Sequence, residues 1–170
     1  METVAALGIK DITICASSLG AAHDPVAKLI EEGVVTGIQS SGVRGKIGEA
    51  ISGGRLKNPA VIRSHGGRVR AIEEGDVHID IAFIGASTSD EYGNARGVGG
   101  KSNCGVLSYS MVDAKYADHV VVVTDCLVEY PNLPASISQV DVDYVVEVEA
   151  IGNPDKIVSN VVRMTNDVRE

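Results

Sequence analysis

Between Ala60 and Tyr109 two apolar runs each stop abruptly and hand over to glycine and small polar residues. Ala60-Val61-Ile62 opens onto Ser64-His65-Gly66-Gly67-Arg68, and Ile79-Asp80-Ile81-Ala82-Phe83-Ile84 opens onto a run from Gly85 to Gly105. That second run holds six glycines yet keeps Asp90, Asn94, Lys101, Asn103 and Cys104. Strands that end in glycine-rich polar loops are how α/β proteins build sites at the carboxyl edge of a sheet. A loop of this length inside a compact domain is functional or disordered, and the functional reading is taken here.

The rest of the chain supports the same class. Asp11–Ala16 reads as a first strand and Ser17-Ser18-Leu19-Gly20 as a turn. Asp24 and Pro25 read as N-cap and first position of a helix that ends at Gly33. Val34–Ile38 reads as a second strand, with a helix around Ile47–Ile51. Ala60–Arg63 is a third strand and Arg68–Glu74 a short helix stopped at Gly75. Ile79–Ile84 is a fourth strand, Ser110–Ala117 a helix, and His119–Thr124 a fully buried fifth strand. Asp143–Val148 alternates as an edge strand does, and Pro154–Val162 suits a helix. Glu2–Leu7 begins the chain as a helix closed by Gly8. Strands alternating with helices predict an α/β fold with a mainly parallel, doubly wound sheet and right-handed crossovers. With no repeat or linker, residues 1–170 read as a single α/β domain.

Composition narrows the partners. The core is aliphatic, because 170 residues include one Phe and no Trp. The net charge of −8 argues against nonspecific nucleic-acid binding and against an anionic membrane surface, which both need a basic face. No stretch approaches the roughly 20 apolar residues of a membrane span, and Met1 is not followed by a signal peptide. Cys15, Cys104 and Cys126 are odd in number, widely spaced and form no CxxC, so no metal centre is expected and a reducing cytoplasm is the expected address.

Several short motifs have competing readings. Gly42-Val43-Arg44-Gly45-Lys46-Ile47-Gly48 follows a strand and opens a helix, so its amides and Arg44 could hold an anion; it could equally be a tight turn with Arg44 solvated. Its GxxGxxG spacing and the lack of an acidic residue at the end of the next strand disfavour a dinucleotide site. Paired glycines in Ser64–Arg68 could aim amides at an oxyanion, with His65 orienting substrate, exchanging protons near neutral pH, or merely tying down the loop. Arg68 and Arg70 fall on different helix faces, so one of them faces the site. Asp90-Glu91-Tyr92-Gly93-Asn94 reads as an Asx-type turn with Gly93 at positive φ, shaping a pocket floor in the functional reading. Gly99-Gly100-Lys101-Ser102 lacks Walker spacing, since Ala95 stands where the first Gly belongs. Cys104 reads as a small thiol filling a tight loop, not a nucleophile, because no base is paired with it.

Taken together, these pieces resemble the citrate lyase alpha subunit, the citrate CoA-transferase component. The resemblance is carried by Ser41-Gly42-x-Arg44-Gly45, Ser64-His65-Gly66-Gly67-Arg68-Val69, Ile79–Gly85 and Asp90-x-x-Gly93-Asn94-Ala95. Gly100-Lys101-x-x-Cys104-Gly105, Val112-Asp113-Ala114, Pro134-Ala135-Ser136-Ile137 and Arg163-Met164-Thr165 complete it in collinear order. The Asp-x-x-Gly-Asn turn is shared by CoA-transferases generally.

The resemblance implies a CoA-transferase-like (Rossmann-like) fold and an acyl exchange in which acetyl thioester plus citrate gives citryl thioester plus acetate. The thiol belongs to a CoA-like prosthetic group on a partner acyl carrier protein, with no cofactor bound tightly by this chain. A lyase beta subunit then cleaves the citryl thioester, and an oligomer is expected. Citramalate lyase alpha subunits are close relatives. Family members are longer, so the chain is expected to be an incomplete part of the first domain, with the second half absent and little activity alone. The implied substrate and thioester contacts are Gly42, Arg44, Gly45, Ser64, His65, Gly66, Gly67, Arg68, Asp90, Gly93, Asn94, Gly99, Gly100 and Asn103. Arg44 or Arg68 would hold a citrate carboxylate, and the amides around Gly66-Gly67 and Gly99-Gly100 would supply donors. No catalytic residue is assigned. The rival reading is a non-catalytic module that senses a phosphorylated metabolite through Gly42, Arg44 and Gly45.

Overall fold

The computed structural model describes residues 2–156, in two compact units that divide between Val77 and His78. In the first unit, β1 (Ile12–Ala16), β2 (Val35–Ser40) and β3 (Val61–Ile62) form a parallel sheet in the order β1-β2-β3. Each connection carries a helix: α2 (Val26–Glu31) between β1 and β2, then α3 (Gly45–Ser52) between β2 and β3. α1 (Glu2–Ala6) precedes the sheet and α4 (His65–Glu73) follows it. Leu19, Leu29, Ile30, Val35, Ile38, Ile47 and Ala50 make the core that these helices and β2 share. Thr13 pairs with Gly37 across β1 and β2, and a Cβ at Gly37 would fall 2.4 Å from the Thr13 hydroxyl. Only glycine lets the two strands close there.

The second unit has its own parallel sheet, β4 (Ile81–Ala86), β7 (His119–Thr124) and β8 (Tyr144–Glu147), in the order β4-β7-β8. Between β4 and β7 lie an antiparallel pair, β5 (Thr88–Ser89) with β6 (Ala95–Arg96), and helix α5 (Tyr109–Tyr116). The α/β class and parallel strands match the sequence reading; the strands are shared between two three-stranded sheets. β8 is at an edge, as its alternation implies. No helix among the described residues is long and apolar enough to cross a membrane.

Four local expectations change. β7 is not buried on both faces: Val120, Val122 and Thr124 are buried, while His119 is exposed and Val121 and Val123 are half-buried. α4 starts at His65 and not at Arg68, because Ser64 caps it, its Oγ accepting from Gly67 N at 3.1 Å. A capped first turn tolerates the two glycines that would weaken a helix interior. Asp24 does not cap α2, whose N-cap is Pro25; its Oδ1 instead accepts from Lys46 N at 2.9 Å, at the start of α3. The helix expected over Pro154–Val162 begins as a 3-10 turn, Pro154–Lys156; its remainder, with Arg163-Met164-Thr165, lies outside the described residues.

Ile38 is 1 % exposed in the centre of the first core. Ile38→Ala is expected to cost about 2–5 kcal/mol, read as a lower urea midpoint for the loss of helical circular dichroism; a loss below about 1 kcal/mol would mean that this core collapses around the missing side chain.

Candidate functional site

In the first unit the candidate residues sit after the carboxyl ends of two paired strands, since Ser40 at the end of β2 is in register with Ile62 of β3. The stretch after β2 is strapped to Leu19, which donates its N–H to Gly42 O and accepts from Arg44 N, both at 2.9 Å. Arg44 is the N-cap of α3 with no side-chain cap of its own, and its side chain is exposed. Gly45 has φ +66°, and a Cβ there would lie 2.4 Å from Asp24 Oδ1. The carboxylate of Asp24 thus takes the place at the α3 N-terminus where a bound anion would accept amide hydrogen bonds. The amide cradle expected around Gly42, Arg44 and Gly45 is filled from within the chain, and the Arg44 side chain is what remains open.

After β3, the expected loop of paired glycines is the first turn of α4. The Gly67 amide is already given to Ser64 Oγ, so the expectation that it serves an oxyanion is not met; Gly66, one position earlier, has no intrahelical acceptor by helix geometry. His65 is exposed. Arg68 is only 3 % exposed, whereas Arg70 is on the outside and pairs with Glu74 at 2.8 Å. The two arginines do fall on different faces, and it is the inward one that the sequence motif singled out.

The second unit holds its candidates more tightly. Asp90 is fully buried, and both of its oxygens are filled. Oδ1 accepts from Tyr92 N and Asn94 N at 3.0 Å each, and Oδ2 accepts from Asn94 Nδ2 at 2.8 Å and Asn132 N at 2.9 Å. The contact to Tyr92 is the expected Asx turn, with Gly93 at φ +99° beneath Val142. Asn94 is anchored in turn by Gln139, donating Nδ2 to Oε1 at 2.8 Å and accepting from Gln139 N at 3.2 Å. Burial pushes the Asp90 carboxyl up, but the hydrogen bonds from Asn132, Asn94 and Tyr92 outweigh it and hold the group below the usual carboxylate range.

The same network reaches the glycine loop through Thr88. Asn132 Nδ2 donates to Thr88 Oγ1 at 3.2 Å, and Thr88 Oγ1 donates to Val98 O at 3.1 Å. Ser87 Oγ donates to Gly99 O. Gly99 and Gly100 have φ +85° and +61°, and a Cβ on Gly100 would press within 2.6 Å of Ser87 O. Farther along, Ser102 Oγ donates to Asp125 Oδ2 at 2.6 Å, and Lys101 reaches Glu149 O. Burial raises the Asp125 carboxyl, and Ser102, the Ile151 amide and Lys101 together bring it below its ordinary value. Asn103 is exposed and accepts from Gly105 N at 3.4 Å.

Cys104 is exposed and does not fill the loop as expected. Although exposed, the sulfur is partly desolvated by the surrounding chain, which pushes the thiol up, the opposite of an activated nucleophile. Among the described residues, His78, Asp80 and Asp118 form a group with metal-ligand chemistry, but all three are exposed and lie before β4 and β7, away from the carboxyl ends.

Asn132, Gln139 and Thr88 escaped the sequence reading. The one hint was a polar Asn132 between Pro131 and Pro134; its partner Asp90 lies 42 residues earlier in the chain.

Since the folded pKa of Asp90 lies below its unfolded value, its stabilisation is complete above about pH 4 and fades as pH falls toward the folded value. Asp90→Asn is expected to lower stability at pH 7 by about 2–4 kcal/mol, since an amide group then faces backbone donors. The deficit against wild type should shrink in urea titrations as pH drops from 7 to 3. An equal deficit at both values would mean that the ionised form is not what the turn needs.

Comparison with known proteins follows the same residues. The family model for citrate lyase, alpha subunit (CitF) matches residues 1–170. The citrate lyase alpha chain of Klebsiella pneumoniae is 48 % identical over 167 residues, which are 98 % of this chain and 33 % of that protein. A Streptococcus mutans protein described as the alpha subunit of citrate lyase, solved in complex with citrate, is 56 % identical and superposes with a TM-score of 0.90. That alignment covers 99 % of this chain and 33 % of the other. An acyl-CoA transferase of Escherichia coli O157:H7, solved as a thioester complex with CoA, shares the fold at 16 % identity and a TM-score of 0.66, over 89 % of this chain and 41 % of its own. The chain thus spans about a third of the length of the curated relatives it matches. It belongs to the citrate lyase alpha subunit family.

Proposed function

We propose that this chain is part of the first domain of a citrate CoA-transferase, exchanging acetyl for citryl on a carrier thioester. The observation that carries the reading is the match of the family model over residues 1–170, together with a relative 56 % identical that was solved in complex with citrate. In the reaction a citrate carboxylate oxygen attacks the acetyl thioester carbonyl, and the carrier thiolate leaves. The resulting acetyl-citryl anhydride is attacked at its citryl carbonyl by the thiolate, and acetate leaves. Both additions place negative charge on a carbonyl oxygen, which fixed N–H donors stabilise, and the anhydride survives only where water is excluded.

Within the first unit, the exposed Arg44 guanidinium is the partner for a citrate carboxylate in this reading. Arg68, 3 % exposed, is the other arginine proposed for that role. Within the second unit, taken by itself, the network holds in place the turn fixed by Asp90 and the backbone of the loop through Gly99 and Gly100. The acyl thioester arrives on the CoA-like prosthetic group of an acyl carrier protein, which makes that group a substrate carried by a partner. A lyase beta subunit consumes the citryl product, the assembly is an oligomer, and its setting is the cytoplasm. The metabolite-sensor alternative loses its main support, since Asp24 fills the amide cradle that a phosphate would need.

The test is a chimera in which this chain replaces the matching third of the Klebsiella pneumoniae alpha chain. It should exchange labelled acetate into acetyl carrier protein only when citrate is present, and no exchange by a folded chimera would sink the proposal. In the active chimera, Arg44→Ala is expected to raise the KM for citrate by at least about tenfold, the worth of one charge-assisted hydrogen bond, with the KM for acetyl thioester unchanged. An unchanged citrate KM would remove Arg44 from the site.

A further inference from the structure

Two neighbouring hydroxyls of the second unit hold two neighbouring carbonyls of its glycine loop. Ser87 Oγ donates to Gly99 O, and Thr88 Oγ1 donates to Val98 O at 3.1 Å. Ser87 and Thr88 come directly after the last residue of β4, and both are buried. In a trans peptide unit the carbonyl and the following N–H point in opposite directions. Turning Val98 O and Gly99 O toward the hydroxyls therefore turns the N–H groups of Gly99 and Gly100 away from them, side by side. Neither N–H is hydrogen-bonded among the described residues. The body of the unit stands close behind the loop, since a Cβ on Gly100 would fall 2.6 Å from Ser87 O and 3.0 Å from Cys126 Cβ.

Proton directions in this relay are forced. Asn94 O can only accept, so the Asn132 side chain turns Nδ2 toward it, at 2.9 Å. The same Nδ2 donates to Thr88 Oγ1 at 3.2 Å. A hydroxyl that accepts from an amide nitrogen keeps its own proton for one acceptor, and here it goes to Val98 O. Asn132 is itself tied by its backbone N–H to Asp90 Oδ2 at 2.9 Å. The buried carboxylate thus fixes, through Asn132 and Thr88, the direction of an amide on the far side of the Val98 peptide unit.

We propose that Thr88, backed by Asn132, is a positioning residue for acyl exchange: its hydroxyl aims the Gly99 N–H, with the Gly100 N–H beside it, at the thioester carbonyl oxygen as that oxygen takes up charge. This rests on the reading of the chain as part of a citrate CoA-transferase. Thr88 touches no reacting atom in this role. A donor aimed in advance gives its full stabilisation to the charged oxygen, and a hydroxyl that can donate in one direction only is what holds the aim. Without that hydroxyl the Val98–Gly99 peptide unit is free to rotate and carry its N–H off the oxygen, while the binding of citrate carboxylates, which uses other groups, stays as it was.

The test compares three substitutions in the chimera: Thr88→Val removes the hydroxyl at nearly constant volume, Thr88→Ser keeps it, and Thr88→Cys offers a weaker donor. The kcat for acyl exchange, per folded protein by circular dichroism, should fall at least about thirtyfold in Thr88→Val with the KM for citrate unchanged, and stay within about threefold in Thr88→Ser. A second readout separates aim from folding. In a dithioester substrate, sulfur replaces the carbonyl oxygen and accepts hydrogen bonds weakly, so the oxygen-to-sulfur rate ratio reports on the donors. That ratio should drop at least about fivefold in Thr88→Val and hold in Thr88→Ser. An unchanged ratio in Thr88→Val, or an equal loss of kcat in Thr88→Ser, would overturn the proposal. If Thr88→Val does not fold, Thr88→Cys carries the comparison: a ratio below that of Thr88→Ser is expected, and an equal ratio overturns the proposal. An unsubstituted chimera that folds and exchanges nothing fails the enzymatic reading and the proposal with it, whereas exchange with an unchanged ratio fails the proposal alone.

Discussion

The second unit is organised around a buried charge with no cation beside it among the described residues. Taking a carboxylate out of water costs several kcal/mol even after relaxation, and Asp90 offsets that cost with four N–H donors. Three of the four come from its own turn, and the fourth is the Asn132 backbone. The Asn132 side chain then ties Thr88 and Asn94 O to the same point. A carboxylate is suited to this because it only accepts, and two oxygens can receive donors from several directions at once. Removing any one donor leaves charge uncompensated, so the turn, the β5–β6 pair and the segment around Asn132 take shape together.

That rigidity has chemical value. Oxyanion stabilisation depends on donors that are already aimed before charge develops, since donors that must reorient give back most of their benefit. Gly99 and Gly100 adopt left-handed backbone angles and press on Ser87 and Thr88, so the loop is pinned by backbone packing and by the hydroxyls of those two residues. The glycines are required by close approach: a Cβ at Gly100 has no room against Ser87 O.

The sequence made strand positions and the Asx turn legible because those signals are local: runs of Val and Ile, a side chain bonding two residues onward, a glycine at positive φ. Partner choice was not legible. Asp24 stands where a helix N-cap belongs and would serve α2 on local grounds, yet its side chain crosses to the Lys46 amide of α3, while the Ala27 amide of α2 is satisfied by the Asp24 carbonyl. Ser64 likewise looked like loop until its bond to Gly67 made it a cap. Asn132 had no local signature at all, because its partner Asp90 meets it only through the fold. The two faces of β7 show the same limit: HVVVVT is apolar on both sides, and only the helices' placement decides which side is covered.

The crossing of Asp24 also decides how an anion can be recognised in the first unit. An open helix N-terminus would attract citrate through unpaired amides and the helix dipole, and either would serve a phosphate equally well. With a carboxylate of the chain already there, that attraction is neutralised at short range. A second carboxylate approaching α3 meets like charge unless the Arg44 guanidinium outweighs it. Arg44 offers a planar fork that matches a carboxylate's two oxygens, and it works against a net charge of −8 on the chain. Recognition then depends on the geometry at one side chain, whose fork suits a carboxylate or a phosphate alike. Filling the helix terminus from within thus leaves the Arg44 side chain, and not the α3 amides, as the group that an anion would meet in the first unit.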